Sequence, residues 1–207
     1  MRTGILGGTF DPIHVAHLHA AQTALHQAVL DRVLIMPAGD PWQKTDDRRV
    51  TPAHHRLEMA RRAVAGVDGI EIDDREVGRD GPTYTVDTMT TFSGDEELFL
   101  VLGADAALGI PTWKDSARVR ATATLLVVPR PGVDSTVLGE LLPEAMFIDM
   151  AVLEISGTEI REMARRGAPF RFLVTEPVHE YIQSHGLYVE GGSDDRVGAS
   201  NDTEDSP

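Results

Sequence analysis

The chain has 207 residues, 42% of them hydrophobic, no cysteine and a formal net charge of −14. That length and apolar content supply one full hydrophobic core and call for no second domain. The missing cysteine excludes disulfides, thiolate catalysis and iron–sulfur or zinc–thiolate centres, and the acidity argues against the extended basic face that a nucleic acid requires.

The sequence opens Met1-Arg2-Thr3 and runs straight into the apolar Gly4-Ile5-Leu6; no apolar leader precedes it and no apolar run approaches membrane-spanning length. The expectation is a cytoplasmic protein that engages no membrane. Strand-like apolar runs recur at 4–6, 33–36, 70–72, 98–102, 125–128 and 151–155. Helical stretches at 16–29, 52–65, 85–92, 116–121, 158–166 and 177–185 alternate with them. This alternation predicts βαβ crossovers and an α/β, Rossmann-like fold with a mainly parallel sheet and helices on both faces. The folded domain is expected over 1–189. From 190 to 207 the chain is acidic and nearly free of apolar residues, the composition of a disordered tail. Nothing in the sequence specifies an oligomeric state.

In such sheets ligands bind beyond the carboxyl ends of the strands, so the segments that follow strands hold the candidate site. The first is Gly7-Gly8-Thr9-Phe10-Asp11-Pro12-Ile13-His14-Val15-Ala16-His17. Its two glycines let backbone approach a ligand, and the unpaired N–H groups of a following helix start favour an anion. If the helix begins near His14, then His14 and His17 share one face of its first turn, and both can donate to a phosphate. A His-x-x-His pair also suits zinc, but the chain offers no cysteine and no carboxylate companion at ligand spacing nearby, so no protein metal ligand is expected.

Four later segments follow. Met36 to Lys44 is a loop with two prolines, Trp42 and a cation, Lys44, which could meet a phosphate as a point charge. Gly81-Pro82-Thr83-Tyr84-Thr85 is a turn into a helix, readable as a plain threonine cap or as a ligand-facing N-terminus. Gly103 and Asp105 sit at the end of the fourth apolar run, where a carboxylate can accept from ribose hydroxyls, and Trp113 offers an indole either for stacking or for the core. Finally Ser156-Gly157-Thr158-Glu159-Ile160-Arg161 has capping-box spacing; its N–H groups, hydroxyls and guanidinium make a second anion-binding helix start. Two such starts suit a polyphosphate.

Together, the N-terminal string, Pro-Trp-x-Lys, Thr-Tyr-Thr-x-x-Thr, Gly-Ala-Asp-Ala, Thr-Trp, Arg130-Pro131-Gly132, Ile-Ser-x-Thr-x-Ile-Arg and the closing Pro177-Val178-x-x-Tyr181-Ile182 to Leu187-Tyr188 resemble the bacterial nicotinate-nucleotide adenylyltransferase family over about residues 4–189. Two positions depart from its pattern: Ala16 stands where the family has glycine between the histidines, and Gly157 where serine or alanine is usual. The resemblance implies AMP transfer from ATP to nicotinate mononucleotide, giving deamido-NAD and pyrophosphate, with magnesium carried on the ATP phosphates. It implies that His14, His17 and Arg161 are catalytic. Gly7, Gly8, Thr9, Phe10, His14, His17, Gly103, Asp105, Ser156, Thr158 and Arg161 would bind ATP. Lys44, Tyr84, Thr85, Asp105 and Trp113 would bind the mononucleotide.

Overall fold

The computed structural model describes residues 1–40, 50–79 and 81–189. Lys44 and Trp42, with the expected acidic tail, lie outside the described residues.

Among the described residues six strands form one parallel sheet: β1 (Arg2–Gly8), β2 (Arg32–Pro37), β3 (Ile70–Ile72), β4 (Glu97–Gly103), β5 (Ala123–Val128) and β6 (Met146–Phe147). Their order is β3-β2-β1-β4-β5-β6. The chain fills the sheet outward from β1 in one direction, then returns to β4 on its other side. Strand order therefore reverses between β1 and β4, where diverging connections leave a crevice at the carboxyl ends. Ile5 pairs with Leu100 across that junction.

Among the described residues eight α-helices cover the sheet: α1 (Val15–Gln27), α2 (Ala53–Val64), α3 (Thr85–Met89), α4 (Ala104–Leu108), α5 (Ser116–Thr122), α6 (Ser135–Leu141), α7 (Gly157–Arg165) and α8 (Glu176–Ser184). The period-2 alternation of the strands divides the core. Leu6, Val33, Ile35, Phe99, Val101, Leu126 and Val128 pack with α1, α2, α7 and α8, through Ala21, Met59, Ile160 and Val178 among others. Ile5, Met36, Leu98, Leu100, Leu102, Leu125 and Val127 pack with α3 to α6, through Val86, Ala107, Val119 and Leu138. Both faces of the sheet are buried, which explains why the central strands read as continuous apolar runs.

One expected strand is corrected. Residues 151–155 are not a strand; the sixth position is held by Met146–Phe147, and the ladder ends where Ile148 N–H donates to the Val127 carbonyl at 2.8 Å. The apolar alternation there reflects an extended rim segment, half-buried at Leu153 and Ile155 and turned at its end by a bond from Ile155 N–H to the Leu153 carbonyl. Period-2 patterning specifies extended backbone; it does not supply a partner strand.

Candidate active site

The Gly7-Gly8 segment ends β1, directly beside the switch point. A Cβ at Gly7 would meet nothing within 4 Å, so the backbone there borders open space that a ligand can approach. Gly8 is required for a different reason: its Cβ would lie 2.9 Å from Phe10 Cζ. Phe10 adopts a left-handed φ of 50° and is buried, which folds its ring back over the glycine. A bulky residue in that region is strained and persists only where its surroundings hold it.

What holds the turn is Arg56 of α2, only 1% exposed. Its guanidinium donates to three backbone carbonyls: Thr9 at 2.7 Å, Thr51 at 2.8 Å and Gly39 at 2.9 Å. One planar fork thus ties the signature turn to the segment after β2 and to the start of α2. Burial pushes the Arg56 pKa down, while Asp11, Tyr188 and Asp40 oppose it. Sequence reading missed this residue, because an arginine inside a helix carries no sign that it faces the interior.

His14 is the N-cap of α1, as expected of a helix starting near it. The His14 and His17 rings stack with centroids 3.7 Å apart, and Phe10 sets its edge against His17 at 4.9 Å. His17 Nδ1 accepts from the His14 backbone N–H at 3.3 Å. In the neutral ring that bond places the proton on Nε2, making this nitrogen the donor. His14 is 2% exposed, and its Nδ1 has no hydrogen-bond partner among the described residues. Burial, with the Arg130 charge second, lowers the His14 pKa from 6.5 to about 4. The pair is thus neutral at His14 and poised to donate, the form suited to meeting phosphate oxygens.

Across the crevice, Gly103 ends β4 and precedes α4. A Cβ there would fall 2.5 Å from Asp105 Oδ1 and 3.0 Å from Arg130 Nε, so glycine lets both side chains close over the strand end as they do here. Asp105 and Arg130 form an ion pair at 3.6 Å, and Arg130 Nε has no hydrogen-bond partner among the described residues. His17, Gly103 and Arg130 line one recess with Ala16, Met150 and Leu153. Ala16, the departure between the histidines, is therefore part of the recess wall. Arg130 is a second guanidinium at the site; the sequence had marked it only within a motif.

At α7, Ser156 Oγ accepts from Glu159 N–H at 3.2 Å, the expected cap. Arg161 reaches back across the chain: it donates to the Asp11 carbonyl, pairs with Asp11 Oδ2 at 3.6 Å and donates to Thr158 Oγ1 at 3.2 Å. Gly157 is what permits this approach, since its Cβ would lie 2.6 Å from the Asp11 carbonyl oxygen. The departure at Gly157 is thus a packing requirement of this chain.

Of the expected mononucleotide residues, Asp105 is at the crevice, while Tyr84, Thr85 and Trp113 lie on the sheet face covered by the second core cluster. Tyr84 caps α3 by position without a side-chain bond, and Thr85 begins the helix. The threonine-cap alternative is not what forms: Thr83 N–H and hydroxyl both turn to the Asp40 carbonyl, at 3.4 and 3.3 Å, joining this segment to the end of β2. Tyr84 and Trp113 are half-buried against the second core cluster, and the Trp113 indole N–H has no hydrogen-bond partner among the described residues. Lys114 lies over the Tyr84 ring at 4.5 Å and pairs with Asp87 at 2.9 Å.

The donor set suits anions. Among the described residues no cluster of three His, Asp or Glu side chains could hold a metal ion. Asp11 and Asp105, the carboxylates at the crevice, are each engaged by an arginine.

Comparison with known proteins agrees with this geometry. A family model described as cytidylyltransferase-like matches residues 5–163. A Corynebacterium kroppenstedtii protein named "Probable nicotinate-nucleotide adenylyltransferase" is 41% identical over 205 residues, covering 97% of this chain and 95% of the relative. A Roseiflexus protein of the same name is 41% identical over 193 residues, covering 89% and 96%. Among solved structures, the Plasmodium falciparum nicotinic acid mononucleotide adenylyltransferase complexed with NaAD superposes with a TM-score of 0.75 at 20% identity, over 90% of this chain and 97% of that one. At that identity the likeness concerns the fold. A parallel sheet with its crevice at the signature turn, and relatives this similar along nearly their whole length, place the chain in the nicotinate-nucleotide adenylyltransferase family.

Proposed function

We infer that the chain transfers AMP from ATP to nicotinate mononucleotide, giving deamido-NAD and pyrophosphate. The single observation that carries the chemistry is the stacked His14 and His17 pair at the switch-point crevice, with Arg130 and Arg161 at the same end of the sheet. The acceptor already carries an anionic phosphate oxygen, so it needs neither activation by a strong base nor a covalent relay. That oxygen attacks the α-phosphorus of ATP, the bond to the β-phosphate oxygen breaks, and pyrophosphate leaves with the electron pair. The protein's contribution is alignment and neutralisation of charge on the equatorial and leaving oxygens.

In this reading His17 Nε2–H meets the α-phosphate as charge develops, and His14 donates to the same phosphate chain. Ser156, Thr158 and Arg161 hold the distal phosphates, with Gly7, Gly8, Thr9 and Phe10 shaping the turn beneath them. Gly103 and Asp105 face a ribose. Tyr84, Thr85 and Trp113, with Lys44, receive the mononucleotide. Magnesium enters as part of the MgATP substrate and supplies further charge neutralisation there. No described helix is long and apolar enough to cross a membrane, and we place the reaction in the cytoplasm.

The test uses ATP made chiral at the α-phosphorus by sulfur substitution. Direct transfer inverts configuration in the dinucleotide product, with one pyrophosphate released per dinucleotide formed. Retention of configuration would require a covalent enzyme intermediate and contradict the mechanism.

A further inference from the structure

Asp11 lies at the meeting point of four distant chain segments. Its side chain is 7% exposed, and the Arg161 side chain beside it is 11% exposed. Oδ1 accepts from the Tyr188 hydroxyl at 2.8 Å across 177 residues of sequence. Oδ2 accepts from Thr51 N–H at 3.3 Å and faces Arg161 at 3.6 Å. The Asp11 carbonyl takes a further bond from the same guanidinium. Tyr188 is fixed in turn: its backbone is left-handed at φ 67°, its ring packs on the first core cluster, and its hydroxyl lies 3.9 Å from Met59 Sδ. Burial and the Asp11 charge push the Tyr188 pKa well above the usual value, so its hydroxyl stays protonated and remains a donor.

We propose that Asp11 and Tyr188 are positioning residues for ATP: the Tyr188 hydroxyl fixes the Asp11 carboxylate, and that carboxylate sets the Arg161 guanidinium at the start of α7 where it meets the distal phosphates. A guanidinium on an unbranched stem otherwise samples many rotamers, and ordering it at the moment of binding costs affinity. A buried carboxylate with both oxygens engaged removes that freedom beforehand. Neither Asp11 nor Tyr188 touches substrate in this arrangement; both act through Arg161. Tyr188, near the end of the described residues, thereby acts on the nucleotide site, although it lies far from every phosphate motif in sequence.

The proposal rests on the reading of Arg161 as an ATP-phosphate group, and the experiment separates the two. Tyr188→Phe, Asp11→Asn and Arg161→Ala are made in the full chain, their folding is checked by thermal melts, and each is assayed for ATP binding by calorimetry and for steady-state KM toward both substrates. Tyr188→Phe removes one oxygen and Asp11→Asn is isosteric, so either folded variant decides the question. The expected result is a loss in ATP affinity of about tenfold for each, the scale of a hydrogen bond to a charged group, with mononucleotide KM within about twofold of wild type. Combined with Arg161→Ala, Tyr188→Phe should add less than about twofold, since the residue it positions is gone. Wild-type ATP affinity in folded Tyr188→Phe or Asp11→Asn, or an equal loss toward both substrates, would overturn the proposal. Wild-type affinity in Arg161→Ala would instead overturn the underlying reading of that arginine.

Discussion

The role proposed for His17 rests on a hydrogen bond that the start of its own helix supplies. With Nδ1 accepting from the His14 N–H at 3.3 Å, the ring donates through Nε2, and a donor placed where charge develops is worth most in the transition state. His17→Ala should therefore lower kcat by about 10²- to 10³-fold while the melting temperature barely changes; near-normal turnover would remove His17 from the chemistry. His14 carries a separate consequence. Its folded pKa of about 4 lies below the ordinary 6.5, so the unfolded chain binds more protons between those values. The stabilising effect of burying a neutral ring is complete above pH 6.5 and is lost as pH falls through about 4, and the whole difference corresponds to roughly 3 kcal/mol. Urea unfolding of wild type between pH 7.5 and 5 should show stability falling more steeply than in His14→Asn, and parallel curves would contradict the assignment. The histidines were legible because a short local string carries them. The bonds from Arg56 to Thr9 and Gly39, and the bond linking Asp11 with Tyr188, were not, since they join residues 47, 17 and 177 apart through a burial pattern that no local motif encodes.

Helix α7 shows an element whose sequence signal and packing point opposite ways. By propensity alone, Gly157→Ala should help a helix start, by up to about 1 kcal/mol. In the folded chain the added Cβ would sit 2.6 Å from the Asp11 carbonyl, against backbone that cannot swing aside. Overpacking of this kind costs about 1–3 kcal/mol, so the variant should be less stable in urea and bind ATP more weakly. A more stable variant would show that α7 is free to shift. Ala16 tests the opposite departure. Ala16→Gly should cost about 1 kcal/mol of stability, because it lies inside the first turn of α1, and should leave turnover within a few-fold, because the methyl only narrows the recess. The longer helices matched their predicted positions to within about three residues, each marked by composition and capping. Short α4 and α6 escaped notice: five and seven residues held by Ala107 and Leu138 against the sheet leave little periodicity to read. The sixth strand was displaced for a related reason, since an edge strand of two residues is defined by its neighbour more than by its own sequence.

At the scale of the whole molecule, the fold is a device for bringing loops together. Residues near 8, 14, 103, 130 and 161 are far apart in sequence, and a parallel sheet that reverses order between β1 and β4 gathers them at one end. The α/β class was legible because alternating strands and helices admit few arrangements, and the crevice follows from strand order. The same architecture serves many transfer reactions, so the acceptor is the claim that most needs measurement. The decisive experiment compares kcat/KM for pyrophosphate release with ATP and magnesium when nicotinate mononucleotide, nicotinamide mononucleotide or phosphopantetheine is offered in parallel. Robust release is expected with nicotinate mononucleotide, far weaker release with the amide and none with phosphopantetheine. Preferred turnover of phosphopantetheine, or no release with any acceptor, would contradict the proposed function.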